Sequence, residues 1–207
     1  MDALLYEVIS EMAHTIQVNK EFLTELDREI GDGDHGINMA RGFTHVMNKV
    51  NLEDELSLSD ALKKVGMTII STVGGASGPL YGSAFLKAAM AVREKTELSG
   101  EVLDILLKAS LEGVQERGKA VQGDKTIIDA LEPAYVAYTT AFALGQTPIE
   151  GMKKACEAAY EGVESTKLFV AKKGRASYLG MRSIGHQDPG ATSTLLLLQA
   201  LTRVLER

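Results

Sequence analysis

Three aspartates stand close together in the stretch LDREIGDGDHGINMARGF, residues 26–43: Asp27, Asp32 and Asp34. Asp32 and Asp34 alternate around Gly33, so in an extended loop their carboxylates project to the same side. Asp27 precedes Gly31 by about one helical turn and reaches the same point from the end of a helix. A helix C-terminus already carries partial negative charge, so three carboxylates gathered there require a cation. Hard oxygen ligands suit Mg²⁺ or Ca²⁺ rather than zinc. An EF-hand loop counted from Asp32 needs glycine and glutamate where this chain has Ile37 and Phe43, which excludes that motif. With few protein ligands on offer, Mg²⁺ completed by water and phosphate oxygens fits the pattern. A capping loop of solvated acids is the competing reading.

A second group of residues suits the anion such a cation would accompany. GGASGPLYGS, residues 74–83, puts glycines and a serine directly before a helix start. Free backbone N–H groups and the positive end of the helix dipole favour phosphate there. The stretch is not a Walker A motif, which needs Gly-Lys followed by Ser or Thr. QDPGATST, residues 187–194, repeats the arrangement, with Asp188 as cap and Pro189 in the first turn. Arg175 is a counter-charge for phosphate, and His35 and His186 offer further bonds. Each feature also has a plain structural reading, as a small-residue packing turn, a solvated basic helix end or a structural loop histidine.

The elements that position these residues read as helices nearly throughout. Leu5, Val8, Ile9, Met12 and Ile16 recur at three- and four-residue spacing, which predicts a first helix over residues 2–28 that stops at Gly31. A second begins near Gly36, with Ile37, Ala40, Phe43, Met47 and Val50 on one face. Leu62, Val65, Ile69 and Val73 mark a third behind capping serines, and Pro79 opens a fourth. Helices five and six follow, the sixth kinked at Pro133. A long seventh starts at the Thr147 cap and Pro148 and runs to Lys173, and residues 191–206 form the eighth. No sustained period-two alternation and no Asn-Gly hairpin signal is present, so the expected class is all-α. Eight antiparallel helices in a bundle or barrel bring alternate loops to one end. Four of those loops are glycine-rich and polar, and the last, residues 174–190, is long enough to suggest a functional role.

Composition narrows the function classes. The chain has 207 residues, enough for one sizeable core, and no linker or internal repeat divides it, so residues 1–207 are expected as one domain. A net charge of −6 argues against a nucleic-acid partner. No apolar run approaches the roughly 20 residues of a membrane span and no basic leader precedes an apolar block, so the expected location is the cytoplasm. The single cysteine, Cys156, is expected as a small buried apolar residue.

Taken in order, LDREIGDGDHGINMARGF, GMTIISTVGGASGPLYG, RGKAVQGDKT and KKGRASYLGMRSIGHQDPGATS resemble the nucleotide-binding L subunit of bacterial dihydroxyacetone kinase of the phosphotransferase-system type. The resemblance spans the chain and implies a barrel of eight antiparallel amphipathic helices, with ADP and two Mg²⁺ ions at one end. It implies Asp27, Asp32 and Asp34 as magnesium ligands. It puts His35, Gly36, Ile37 and Asn38 at the start of the nucleotide site, and Ala76 and Ser77 in its phosphate-holding turn. Gly118, Ile127 and Arg175 match further contacts, Ile127 as an apolar lining for adenine, and so do Asp188, Pro189 and Gly190. No residue of this chain is implied as a covalent catalyst. The implied chemistry is relay: a phosphohistidine donor subunit phosphorylates bound ADP to ATP in place, and the group passes to dihydroxyacetone held by a K subunit. A homodimer is expected. An L subunit using exchangeable ATP for another small sugar or acyl substrate, and a nucleotide-sensing regulatory module, remain open at this point.

Overall fold

The computed structural model describes residues 3–207. All regular structure among them is helical. The single helix expected over residues 2–28 is two, α1 (Ala3–Val18) and α2 (Lys20–Ile30), and its expected first residue lies outside the described ones. The break is at Asn19, whose side-chain amide donates to the Thr15 carbonyl at 2.8 Å. A short amide that bonds nearby backbone competes with helix continuation. The later helices are α3 (His35–Lys49), α4 (Leu58–Thr72), α5 (Ser77–Ala91), α6 (Gly100–Gly118), α7 (Ile128–Ala143), α8 (Pro148–Ser165) and α9 (Pro189–Leu205). The described residues therefore hold nine α-helices rather than eight, with 3-10 helices at Thr166–Leu168 and Arg175–Ser183.

Local chemistry sets most boundaries. Ser57, Ser99 and Asp188 each accept a backbone N–H of the turn that they cap, and Thr147 with Glu150 forms a reciprocal capping box ahead of α8. α8 ends at Ser165, short of the expected Lys173, because Thr166 turns inward. Its fully buried hydroxyl donates to the Val163 carbonyl and accepts the Asp188 N–H at 3.0 Å. α7 runs on through Pro133 without interruption. Proline has no N–H for the Asp129 carbonyl, and Gly162 of α8 packs its bare backbone against that oxygen, where a Cβ would come within 1.9 Å.

Packing partners follow a ring: α1 lies on α3, α3 on α4, and so on through α9, which returns to α1. α2 sits against α3 and α9. The ring is closed by Arg203 Nε on Glu11 Oε1 at 3.1 Å and Arg207 Nη2 on Glu11 Oε2 at 2.8 Å. Inside lie Phe43, Ile69, Leu103, Ile128, Tyr138 and Met152, all fully buried. Leu62, Val65, Ile69 and Val73 are buried as their spacing predicts. Ile37 is not: it is 44% exposed. The α3 stripe begins one residue earlier, at Gly36, which meets the Lys20 carbonyl of α2 so closely that a Cβ would sit 2.0 Å away. Cys156 is half-buried on α8, and burial pushes its thiol pKa up. No helix among the described residues is long and apolar enough to cross a membrane.

Candidate functional site

The acidic loop is built by hydrogen bonds to its first member. Asp27, near the end of α2, is buried, and its Oδ2 accepts the N–H groups of Asp34 at 2.8 Å and His35 at 3.1 Å. Gly31 leaves room for the other oxygen: a Cβ there would meet Asp27 Oδ1 at 2.1 Å. Gly33 turns the chain at φ +70, a conformation that glycine adopts freely. Asp34 holds the N-cap position of α3 but makes no side-chain capping bond. One oxygen from each of Asp27, Asp32 and Asp34 lies within 4.8 Å of the others. An all-oxygen set of this size fits a hard divalent cation.

These acids line one wall of a cleft of about 470 Å³. The second wall is Gly74, Gly75, Ala76 and Ser77, the turn that leads into α5, with Gly75 at φ +67. The third comes from the end of α6 and the loop after it, including Arg117, Gly118, Lys125 and Ile127. The fourth is Arg175 with Asp188, Pro189 and Gly190 at the start of α9. Arg175 Nη2 reaches across to Asp32 Oδ2 at 2.9 Å. Gly36, Ile37 and Asn38 stand outside this lining. Asn38 accepts from Arg41 Nη2 at 2.7 Å and faces Gly74. His186 is also elsewhere, its Nδ1 2.8 Å from Glu29 Oε2.

Burial tunes three groups around the cleft. The His35 ring is engaged at both nitrogens, Nδ1 3.0 Å from Ser77 Oγ and Nε2 2.9 Å from Ser193 Oγ. Burial pushes its pKa down to about 4, against the opposing pull of Asp27 and Asp34, so the imidazole is neutral at neutral pH. Asp188 caps α9 through Ala191 N at 2.7 Å, and burial pushes its carboxyl up to about 7 against that bond and the Lys125 charge. Lys125 is buried at φ +62, with Nζ donating to the Thr166 carbonyl at 2.6 Å and to the His186 carbonyl. Burial lowers its pKa, and Asp188 and Asp129 offset part of that. Asp129 in turn accepts the N–H groups of Gly123 at 2.5 Å and Thr126 at 2.8 Å. Sequence reasoning did not single out Lys125 or Asp129, although Lys125 lies inside the GDKT stretch. A lysine in a polar glycine loop reads as solvated, and only the fold reveals that this one is enclosed.

The long segment carries structure of its own. From Arg175 to Ser183 it forms 3-10 turns with a kink at Gly180, φ +54. It is anchored by polar groups: buried Ser183 Oγ accepts the Ala171 N–H at 2.9 Å, and Gly185 N–H donates to the Lys167 carbonyl at 2.7 Å. Tyr178 and Met181 are 88% and 71% exposed, so apolar packing by these side chains does not hold it.

Comparison with known proteins bears on this geometry. A family model described as the DAK2 domain matches residues 29–203. The chain is 46% identical to the ADP-binding subunit DhaL of PEP-dependent dihydroxyacetone kinase 1 from Listeria innocua, over 93% of this chain and 91% of that one. It is 45% identical to the ADP-binding subunit DhaL of the PEP-dependent dihydroxyacetone kinase from Escherichia coli, over 87% of this chain and 86% of that one. Among solved structures it is similar to the C. freundii dihydroxyacetone kinase in complex with AMP-PNP and Mg²⁺, with a TM-score of 0.75 and 25% identity. That match covers 98% of this chain but 34% of the solved one, so the chain spans about a third of that kinase's length.

Proposed function

The chain belongs to the DAK2 domain family, and from that premise we propose that it is the ADP-binding subunit of a PEP-dependent dihydroxyacetone kinase. One observation carries the reading: across a single cleft, three carboxylates face the N-terminal turns of α5 and α9. The first group suits a hard cation and the second suits the phosphates that would accompany it. Relatives of nearly the same length that bear this name support it.

In this reading Asp27, Asp32 and Asp34 would hold two Mg²⁺ ions, which would offset charge on the phosphates. Ala76 and Ser77 cradle phosphate at the start of α5, while Gly118 and Ile127 shape the adenine end. Asp188, Pro189 and Gly190 contribute the first turn of α9. His35, Gly36, Ile37 and Asn38 act through the first turn of α3, with Ile37 and Asn38 outside the cleft lining and the Asn38 amide packed behind Gly74 of its second wall. Arg175, whose guanidinium rests on Asp32 in this structure, would be free to pair with phosphate if that carboxylate held a cation. No side chain of this chain takes the phosphoryl group; its part is to position and to exclude water. A phosphohistidine subunit is the donor, and a K subunit carrying dihydroxyacetone is the acceptor. The reading also takes the chain as one domain, the ring of packing partners as an eight-member antiparallel barrel with α2 outside it, and the protein as a cytoplasmic homodimer.

Mass spectrometry of nucleotide released from purified, undialysed protein tests the reading. ADP at near-stoichiometric yield is expected. Protein that emerges empty and turns over ATP without a phosphohistidine donor would overturn it in favour of an ATP-dependent kinase.

A further inference from the structure

The starts of α5 and α9 face one cleft, although the two helices are not partners in the ring. α5 packs chiefly on α4 and α6, and α9 on α1 and α8. A polar link spans the space between them. Tyr81 stands one helical turn after Ser77 on α5, buried and outside the cleft lining. Its hydroxyl lies 3.0 Å from the Gly190 carbonyl, 2.6 Å from Ser193 Oγ and 2.9 Å from Thr194 Oγ1, all within the first two turns of α9. The His35 ring makes a second link, between Ser77 Oγ and Ser193 Oγ at the cleft wall itself.

Packing does little to fix that spacing from the inner side. An apolar cavity of about 130 Å³ adjoins the link there, lined in part by Tyr81 and Thr194, and it shares Val114 and Ile127 with the cleft. Empty space offers no contacts to resist a shift of one helix start toward the other. The hydroxyl bonds of Tyr81 do resist it, because they are directional and short. Ser193 and Thr194 also reach the Gly190 carbonyl within their own helix, at 3.1 and 2.9 Å. Loss of the Tyr81 hydroxyl therefore cuts its crossing from α5 to α9 without leaving a buried hydroxyl or carbonyl unpaired.

We propose that Tyr81 is a positioning residue whose hydroxyl sets the spacing between the starts of α5 and α9, so that both helix starts meet the phosphates of one nucleotide. The inference rests on the nucleotide reading above and deepens it with a residue that touches no ligand. Phosphate oxygens held by backbone N–H groups of both turns tolerate little change in the separation of those turns, because each bond is good only near about 3 Å. With the link cut, one turn can keep its bonds while the other drifts out of reach.

Tyr81→Phe and Tyr138→Phe make a matched pair of variants. Tyr138 is also fully buried, and its hydroxyl donates to the Gly100 carbonyl at 2.9 Å. Gly100 opens α6, whereas Gly118 at the other end of that helix lines the cleft. Each variant keeps its ring and loses one buried hydroxyl, so both should unfold at lower urea concentration than wild type. Isothermal calorimetry on the folded proteins should show ADP binding in the presence of Mg²⁺ roughly 3–10-fold weaker in Tyr81→Phe, the weight of one hydrogen bond, and unchanged in Tyr138→Phe. Unaltered affinity in Tyr81→Phe, or an equal loss in both variants, overturns the inference and leaves the proposed function standing, since Tyr81 would then serve stability alone. Absence of ADP binding in wild type removes both.

Discussion

At the residue scale, the acid cluster and His35 make separable demands. The buried carboxylate of Asp27 is committed to two backbone N–H groups, whereas Asp32 and Asp34 are at least partly open to solvent. Replacing Asp32 or Asp34 by Asn removes a ligand charge and relieves repulsion in the metal-free state. Isothermal calorimetry is expected to show Mg²⁺-dependent ADP affinity falling by at least roughly 10–100-fold, the scale of losing even an outer partner of a metal ligand. Circular dichroism should show an unchanged helical fold. Unaltered ADP affinity in both variants would refute the metal assignment. His35 adds a pH dependence. Its folded pKa, about 4, lies below the unfolded value near 6.5, so on acidification the unfolded chain binds the proton first. Its contribution is complete above pH 6.5 and is lost as pH falls toward 4, by about 3 kcal/mol. Asp188 works in the opposite sense: its folded carboxyl keeps a proton up to about pH 7, so stability from that group declines as pH rises from 4 to 7. The two slopes oppose each other in wild type. Urea unfolding of His35→Gln without metal or nucleotide should therefore gain stability relative to wild type as pH falls from 6.5 to 4, and a pH-independent difference would contradict a neutral buried ring.

At the scale of elements, the helices were legible wherever apolar spacing and a cap agreed, as at Ser57 with Leu62, Val65 and Ile69, or at Thr147 with Pro148. The break at Asn19 and the stop at Ser165 were not, because each depends on one polar side chain finding a backbone partner. Much the same divides the site. Aspartates around a glycine and glycines before a helix start announce themselves in order, and all three acids and both helix starts meet at one cleft. Lys125 and the ordering of residues 175–183 depend on distant carbonyls that no local pattern reveals. In sequence the 3-10 segment reads only as part of a long glycine-rich loop, yet it is anchored at its ends. Its interior, however, has exposed backbone and short-range bonds of the kind that open easily. Hydrogen exchange should find amides 176–183 fast and Gly185 slow in free protein. Mg²⁺ and ADP should slow residues 176–183 once Arg175 pairs with phosphate, and Arg175→Ala should abolish most of that protection. Equal exchange with and without nucleotide would leave the Arg175 contact with Asp32 as a surface ion pair and no more.

For the whole molecule, four walls contributed by separate parts of the chain converge on one cleft, so the energy of a ligand bound there would feed into global stability. With ADP and Mg²⁺ at about 100 times the dissociation constant, and binding to the folded state alone, the gain is roughly 2.7 kcal/mol. A corresponding rise in melting temperature, reversed by EDTA, is expected, and no shift in initially ligand-free protein would count against the site. The ring has a further effect, on the order in which the protein comes into being. α1 leaves the ribosome first, yet its partner α9 emerges last, along with Asp188, Pro189 and Gly190. At roughly 5–20 residues per second some 10–40 s separate the two. Through that interval α1 can pack on α3 but lacks its cover from α9, and the cleft lacks a wall. A ligand therefore meets a complete cleft only after α9 has emerged, so ADP would stabilise the finished ring rather than the growing polypeptide.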